Sequence, residues 1–167
     1  LAVALSYGGG DLAYYKGWLY WGSMHLPGLS FAYHQLFYGN SMSTSTEDIA
    51  YGTLRAASVW RGRNLDNPDP SQWQIELLYG ESELPKYVPN STLDGTTTSG
   101  NFVMTPTGWN PKYGQSGFGN PLNAYIWTMA VANNSLYVGT FDMSYLVKKV
   151  DVGSLMPGFS APAALKL

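Results

Sequence analysis

Residues 123–142, NAYIWTMAVANNSLYVGTFD, constrain the fold more than any other stretch of the chain. Two apolar runs of strand length flank Asn133-Asn134, a pair that tolerates the positive backbone angles of a two-residue hairpin turn. Val131, Leu136, Tyr137, Val138 and Phe141 are residue types suited to a pleated, half-buried surface. The spacing predicts antiparallel strands over residues 125–131 and 135–141.

The pattern occurs a second time. Gly17-Trp18-Leu19-Tyr20-Trp21-Gly22-Ser23 aligns with Asn134-Ser135-Leu136-Tyr137-Val138-Gly139-Thr140; the Leu-Tyr pair, the glycine and the small hydroxyl residue coincide. Residues 12–15 and 18–23 are therefore expected to form another strand pair. It turns at Lys16-Gly17, where Gly17 accepts a positive φ at no steric cost. Leu19, Trp21, Leu136 and Val138 are expected among the most buried side chains.

Composition narrows the class. A chain of 167 residues has room for one domain. Charged residues make up 12% and aromatic residues 15%, the reverse of the balance in disordered chains. With 19 Gly and 10 Pro, turns are frequent, and a β-rich globular fold is favoured. The net charge is −2 and the nine Lys and Arg are scattered, so the basic stripe that neutralises phosphates is missing and nucleic acid is not an expected partner. No window approaches the roughly 18 consecutive apolar residues of a membrane-spanning helix. Without cysteine there are no disulfides, thiolate metal sites or cysteine nucleophiles. Low charge with abundant Tyr, Trp, Asn, Ser and Thr points to a secreted, extracellular or cell-surface protein. Because Leu1 stands first, the chain is expected to begin inside a longer product, with residues 1–5 as a short buried strand.

Taken in order, residues 6–10 read as a flexible turn and residues 30–38 as an aromatic strand. Residues 39–48 read as a polar loop; its Ser-Thr-Glu-Asp end has capping character, but no long helical stripe follows. Residues 54–61 and the Trp-led run 73–79 are expected strands, joined by a turn-rich link in which Pro68 and Pro70 bar regular structure. Residues 81–122 carry Pro85, Pro89, Pro106, Pro111 and Pro121, with one expected strand at 101–105. A last strand is expected at 145–150 and an extended tail at 153–167. No segment combines a helical period with caps, so the expected class is all-β with short helical turns only.

Hairpin, strand, long turn and Trp-led strand make a four-stranded antiparallel unit. With the Gly17–Ser23 and Leu136-Tyr137-Val138-Gly139-Thr140-Phe141-Asp142 motifs, and Trp73-Gln74-Ile75-Glu76-Leu77-Leu78-Tyr79-Gly80 as an outer strand, the chain resembles secreted bacterial β-propeller proteins with kelch-like or irregular blade repeats. The resemblance implies a propeller-like domain or fragment over residues 1–152. Its parts are a blade at 12–80, an irregular insertion at 81–122 and the start of the next blade at 123–152. A β-sandwich with two similar hairpins is the alternative. Blades cover their faces only against other blades, so further protein chains, or the remainder of a longer polypeptide, are expected partners.

Chemistry-bearing constellations are scarce. His25 and His34 lack metal-ligand spacing, no G-x-S-x-G elbow is present, and Gly8-Gly9-Gly10 lacks the Lys-Ser/Thr of a phosphate loop. No catalytic residue, metal or cofactor is assigned. In an antiparallel hairpin the start of one strand lies beside the end of the other. Asn123 and Tyr125 should thus neighbour Thr140 and Asp142, and Asp11 should neighbour Met24 and His25. Asp11, His25, Asn123, Tyr125 and Asp142 would form a polar rim, a candidate site for a small ligand or glycan. Trp109, in the Pro/Gly-rich segment, is the tryptophan expected to be exposed, whereas Trp73 and Trp127 read as core. The functional expectation is an extracytoplasmic, propeller-like binding or structural module within a larger protein or assembly. The alternatives are part of a propeller-type glycan hydrolase or lyase, and a ligand-free subunit of a surface or particle assembly.

Overall fold

A computed structural model describes residues 1–39, 45–90 and 100–145. The strand expected beyond Tyr145 and the tail at 153–167 lie outside these residues.

The protein is mostly β, with antiparallel pairing throughout its two sheets. Four strands form a consecutive antiparallel meander: β1 (Tyr7–Tyr15), β2 (Trp18–His25), β3 (Val59–Arg63) and β4 (Gln74–Tyr79). A separate two-stranded ribbon pairs β5 (Glu83–Pro89) with β6 (Gly100–Pro106). The last two strands, β7 (Asn123–Ala132) and β8 (Ser135–Asp142), form a hairpin that joins the larger sheet where Tyr125 pairs with Met24.

Both hairpins turn as expected, through residues with positive φ: 48° at Lys16 and 80° at Gly17, 48° at Asn133 and 55° at Asn134. This is the turn whose twist matches that of the flanking strands. The repeat extends to the register. Gly9 pairs with Ser23 as Ile126 pairs with Thr140, and Leu12 with Trp21 as Met129 with Val138, a constant offset of 117 (126 − 9). Each first strand also slips at the same place, between Gly9 and Leu12 in one copy and between Ile126 and Thr128 in the other.

The hairpins meet where β7 passes over β1 and β2. A Cβ on Gly22 would lie 2.2 Å from the Ile126 Cβ, and one on Gly10 would lie 2.6 Å from the Ile126 carbonyl oxygen. Only glycine allows this approach. Ile126 is 1% exposed and centres a core cluster with Ala57, Val59, Leu78 and Met129. Leu136 and Val138 flank that cluster, and they, Leu19 and Trp21 are half-buried rather than the most buried side chains. The reason is the glycine contact: it draws the packing centre under Ile126, toward the start of β7.

Helices are the main departure from the all-β expectation. Residues 1–5 and 30–38 are not strands: α1 (Ala2–Leu5) is a single helical turn, and α2 (Pro27–Tyr38) is a three-turn helix. Pro27 opens α2 where its missing N–H is no loss. Its buried residues are Pro27, Ser30, Phe31 and His34, the i, i+3, i+4, i+7 face of a helix in which two members are polar. Within the expected loop at 39–48 begins α3 (Thr46–Thr53). Ser45 Oγ caps it by accepting from the Asp48 N–H at 3.0 Å, and Glu47 and Asp48 favour its first turn. Of the turn expected at residues 6–10 only Ser6 is one; residues 7–10 open β1, with Tyr7 opposite His25. The strand expected at 54–61 begins later, at Val59, and β5 adds a strand to the segment expected to hold one. In β5, Pro85 and Pro89 are tolerated because a two-stranded ribbon leaves outer edges unpaired. No helix among the described residues is long and apolar enough to cross a membrane.

Candidate functional site: an aromatic patch at the junction of the hairpins

As far as Trp127 the strand β7 alternates regularly, and the slip falls between Ile126 and Thr128. Ile126 points into the core, while Tyr125 and Trp127 rise from the opposite face beside Phe141, the cross-strand partner of Tyr125. Ring centroids lie 5.3 Å apart for Tyr125 and Phe141, 6.3 Å for Tyr125 and Trp127, and 6.0 Å for Trp127 and Phe141. The planes are tilted by only 20–38°. The three rings thus make one patch, and Trp127, at 65% exposure, is its open member. Beside it a shallow hollow of about 330 Å³ is lined by Gly9, Gly10, Asp11, Met24, Tyr125 and Trp127.

Asp11 ties this hollow together. Its Oδ2 accepts from the backbone N–H of Met129 at 2.7 Å and from the Thr128 hydroxyl at 3.3 Å; its Oδ1 accepts from the Leu12 N–H at 2.8 Å. The Met129 and Leu12 N–H groups hold its pKa below the ordinary carboxylate value. Burial raises the pKa of the Tyr125 hydroxyl.

The sequence-derived site residues divide into two groups. Asp11 and Tyr125 do line one hollow, brought together by the crossing of β7 over β1 rather than by a shared rim. Asn123 and Asp142 are cross-strand partners, as expected. Asn123 is buried, its side-chain N–H donating to the Gly117 carbonyl at 3.3 Å, while Asp142 is exposed and accepts from the Ser144 N–H and hydroxyl. His25 is fully buried and lies opposite Tyr7, not Asp11. Its Nδ1 accepts from the Arg55 N–H at 3.3 Å, and burial, with the Arg55 charge, pushes its pKa down to about 4. Trp109 is 40% exposed and packs edge-on against Trp60, with ring centroids 4.9 Å apart, away from the hollow.

Trp127 and Phe141 are the residues that sequence reasoning missed. Apolar neighbours made Trp127 read as core. The signal lay in the register: once Tyr125 pairs with Phe141, the ring two residues on from Tyr125 belongs to the same face.

No protein-family model matches the chain, and neither a curated protein nor a solved structure is significantly similar to it. Among the described residues no group of three or more His, Cys, Asp or Glu side chains could hold a metal ion. The carboxylates with shifted pKa, Asp11, Asp69 and Glu76, all shift downward, toward permanent charge. That suits hydrogen-bond acceptors more than proton donors. What the patch offers is aromatic surface next to a polar hollow.

Proposed function

We propose that this chain is an extracytoplasmic binding module of β-propeller-like construction within a larger protein or assembly, and that its ligand is a glycan. The observation that carries the reading is the exposed Trp127 indole, held in place by Tyr125 and Phe141. The apolar C–H face of a sugar ring packs on such a ring while its hydroxyls stay in contact with water or neighbouring polar groups. The 330 Å³ hollow beside Trp127 gives a sugar substituent somewhere to enter. The four-stranded antiparallel meander followed by a second hairpin of matching register supports the blade reading. The outward side chains of β1, Leu12 at 60% and Tyr14 at 71% exposure, support a place within a larger assembly.

The test is retention on immobilised neutral polysaccharides in affinity electrophoresis, with Trp127→Ala as the comparison. Trp127 is mostly solvent-facing, so this variant should fold as the parent does by circular dichroism. The reading expects the parent chain to be retarded by at least one polysaccharide and the variant to run freely. Equal mobility of the two in every polysaccharide gel would overturn it.

A further inference from the structure

A second site lies away from the aromatic patch, at Arg55. This residue follows the C-terminus of α3 and is 6% exposed. Its Nη1 donates to the carbonyls of Gly52 at 2.9 Å and Leu54 at 2.6 Å, and its Nη2 donates to the Pro85 carbonyl. A guanidinium has five N–H donors. Three are used here (5 − 3 = 2), which leaves the Nε–H and one N–H on Nη2. Nε and Nη2 lie on the same edge of the guanidinium plane, the edge that grips a carboxylate by two parallel bonds. Among the described residues no carboxylate pairs with Arg55. The carbonyls at the end of α3 offset part of the charge, but a buried cation without an anion is a costly arrangement.

Arg55 is also a wall of an open cleft of about 470 Å³, together with Tyr7, His34, Lys86, Tyr87 and Phe102. Among the described residues no Asp or Glu lines this cleft, so the cations at its wall act in the same direction. Its far wall is aromatic. The His34 ring stands edge-on to Tyr87 at 4.5 Å and lies against Phe102 at 5.4 Å. Burial pushes the His34 pKa down to about 4, so this ring is neutral at pH 7. The Tyr7 hydroxyl makes no hydrogen bond among the described residues, and desolvation pushes its pKa up to about 12, which keeps it protonated as a donor. The volume falls within the range of small-ligand sites.

We propose that this cleft binds a small monocarboxylic acid with an aromatic or apolar body. The free edge of Arg55 grips the carboxylate, Lys86 adds charge at the mouth, and the body packs against His34, Tyr87 and Phe102. The proposal is independent of the glycan reading, because the cleft shares no residue with the patch around Trp127.

Isothermal titration calorimetry of the full 167-residue chain with 3-phenylpropanoate at pH 7 tests it, with 3-phenylpropanamide as the uncharged isostere. The acid should bind, and the amide should bind about tenfold more weakly or worse, because it cannot accept the charged pair of hydrogen bonds. Arg55→Lys, which keeps the charge and loses the fork, should lose the preference for the acid. Arg55 also ties α3 to β5, so that variant risks misfolding. Lys86→Met, at an exposed position, is the second arm and should weaken the acid while leaving the amide unchanged. Acid and amide binding alike, no heat from the acid at millimolar concentration, or an acid affinity unchanged in Lys86→Met would each overturn the proposal.

Discussion

The backbone N–H of Met129 donates to the carboxylate of Asp11 at 2.7 Å, across 118 residues of sequence. The neighbouring Thr128 hydroxyl donates to the same oxygen at 3.3 Å. Thr128 is the counterpart of Asp11 under the 117-residue offset (128 − 117 = 11), so one position of the repeat meets itself where the hairpins cross. At the slip in β7 the Met129 N–H needs an acceptor, and Asp11 supplies it from the matching slip in β1. Sequence distance is thus bridged by two irregularities of the same kind.

Asp11→Asn should lower the melting temperature at pH 7 by removing the charge from this acceptor. The sign of its pH dependence follows from the depressed pKa. The carboxylate's contribution is fully present above the unfolded value and is lost as pH falls through the folded value. The gap in melting temperature between the parent and Asp11→Asn should therefore be constant near neutrality and close as the solution is acidified below about pH 4. A gap independent of pH over that range would show that the charge on Asp11 contributes nothing.

Gly22→Ala should be more destabilising than a substitution at an ordinary strand glycine. The new methyl would meet three side-chain atoms of Ile126 at 2.2–2.5 Å, and Ile126 is itself fixed in the core. Overpacking of this kind costs about 1–3 kcal/mol. Ile126→Ala should cost about 2–5 kcal/mol by the opposite route, a cavity. Made together, the two changes should be less harmful than the sum of their separate effects, because each relieves the other. Urea denaturation of the two single variants and the double variant measures all three quantities.

Acid should destabilise the fold well above the carboxylate range, through His25. Burial and the Arg55 charge depress its pKa from 6.5 to about 4. Between those values the unfolded chain binds a proton that the folded chain does not. Stability therefore falls as pH drops from about 6.5 toward 4, by at most about 3 kcal/mol, and this contribution levels off below 4. His34, also depressed to about 4, acts in the same direction. Melting curves from pH 7 to pH 4 should show this slope in the parent chain and a shallower one in His25→Gln. Equal slopes would mean that His25 accepts its proton without unfolding.

Local chemistry made parts of this fold legible and tertiary packing hid the rest. Asn133-Asn134 and Lys16-Gly17 announced both hairpins, because a tight turn is a local demand on φ. The helix at 27–38 was hidden because Ser30 and His34 occupy two of its four buried positions, so hydrophobicity alone shows no helical face. β5 was hidden by its prolines, which read as loop until the ribbon's free edges are known. Within the site, Asp11 and Tyr125 were identified, but the route that joins them was not. It depends on Gly10 and Gly22 letting β7 cross at van der Waals distance, a relation between residues more than 100 positions apart. Arg55 carries no sequence signal at all, since its importance lies in having no carboxylate partner among the described residues.

The two hairpin turns yield the last prediction. Both central positions of this turn need positive φ, for which Asn followed by Gly is the preferred pair. Each copy has half of it: Lys16-Gly17 has the glycine and Asn133-Asn134 has the asparagine. Asn134→Gly completes the second copy. It should stabilise the chain by about 0.5–1 kcal/mol, because glycine adopts this conformation without strain. The Tyr15 hydroxyl bonds to the Asn134 carbonyl, a backbone group that the substitution keeps. Lys16→Asn completes the first copy and relieves a strained lysine at φ 48°. It also removes the Lys16 ammonium from its place 5.0 Å above the Tyr15 ring, a contact worth about 0.5–1 kcal/mol when exposed. Its net gain should therefore be smaller than that of Asn134→Gly, although the steric strain it relieves is larger. Thermal denaturation of the two variants decides the order; Lys16→Asn ahead of Asn134→Gly would show that the cation over Tyr15 contributes nothing.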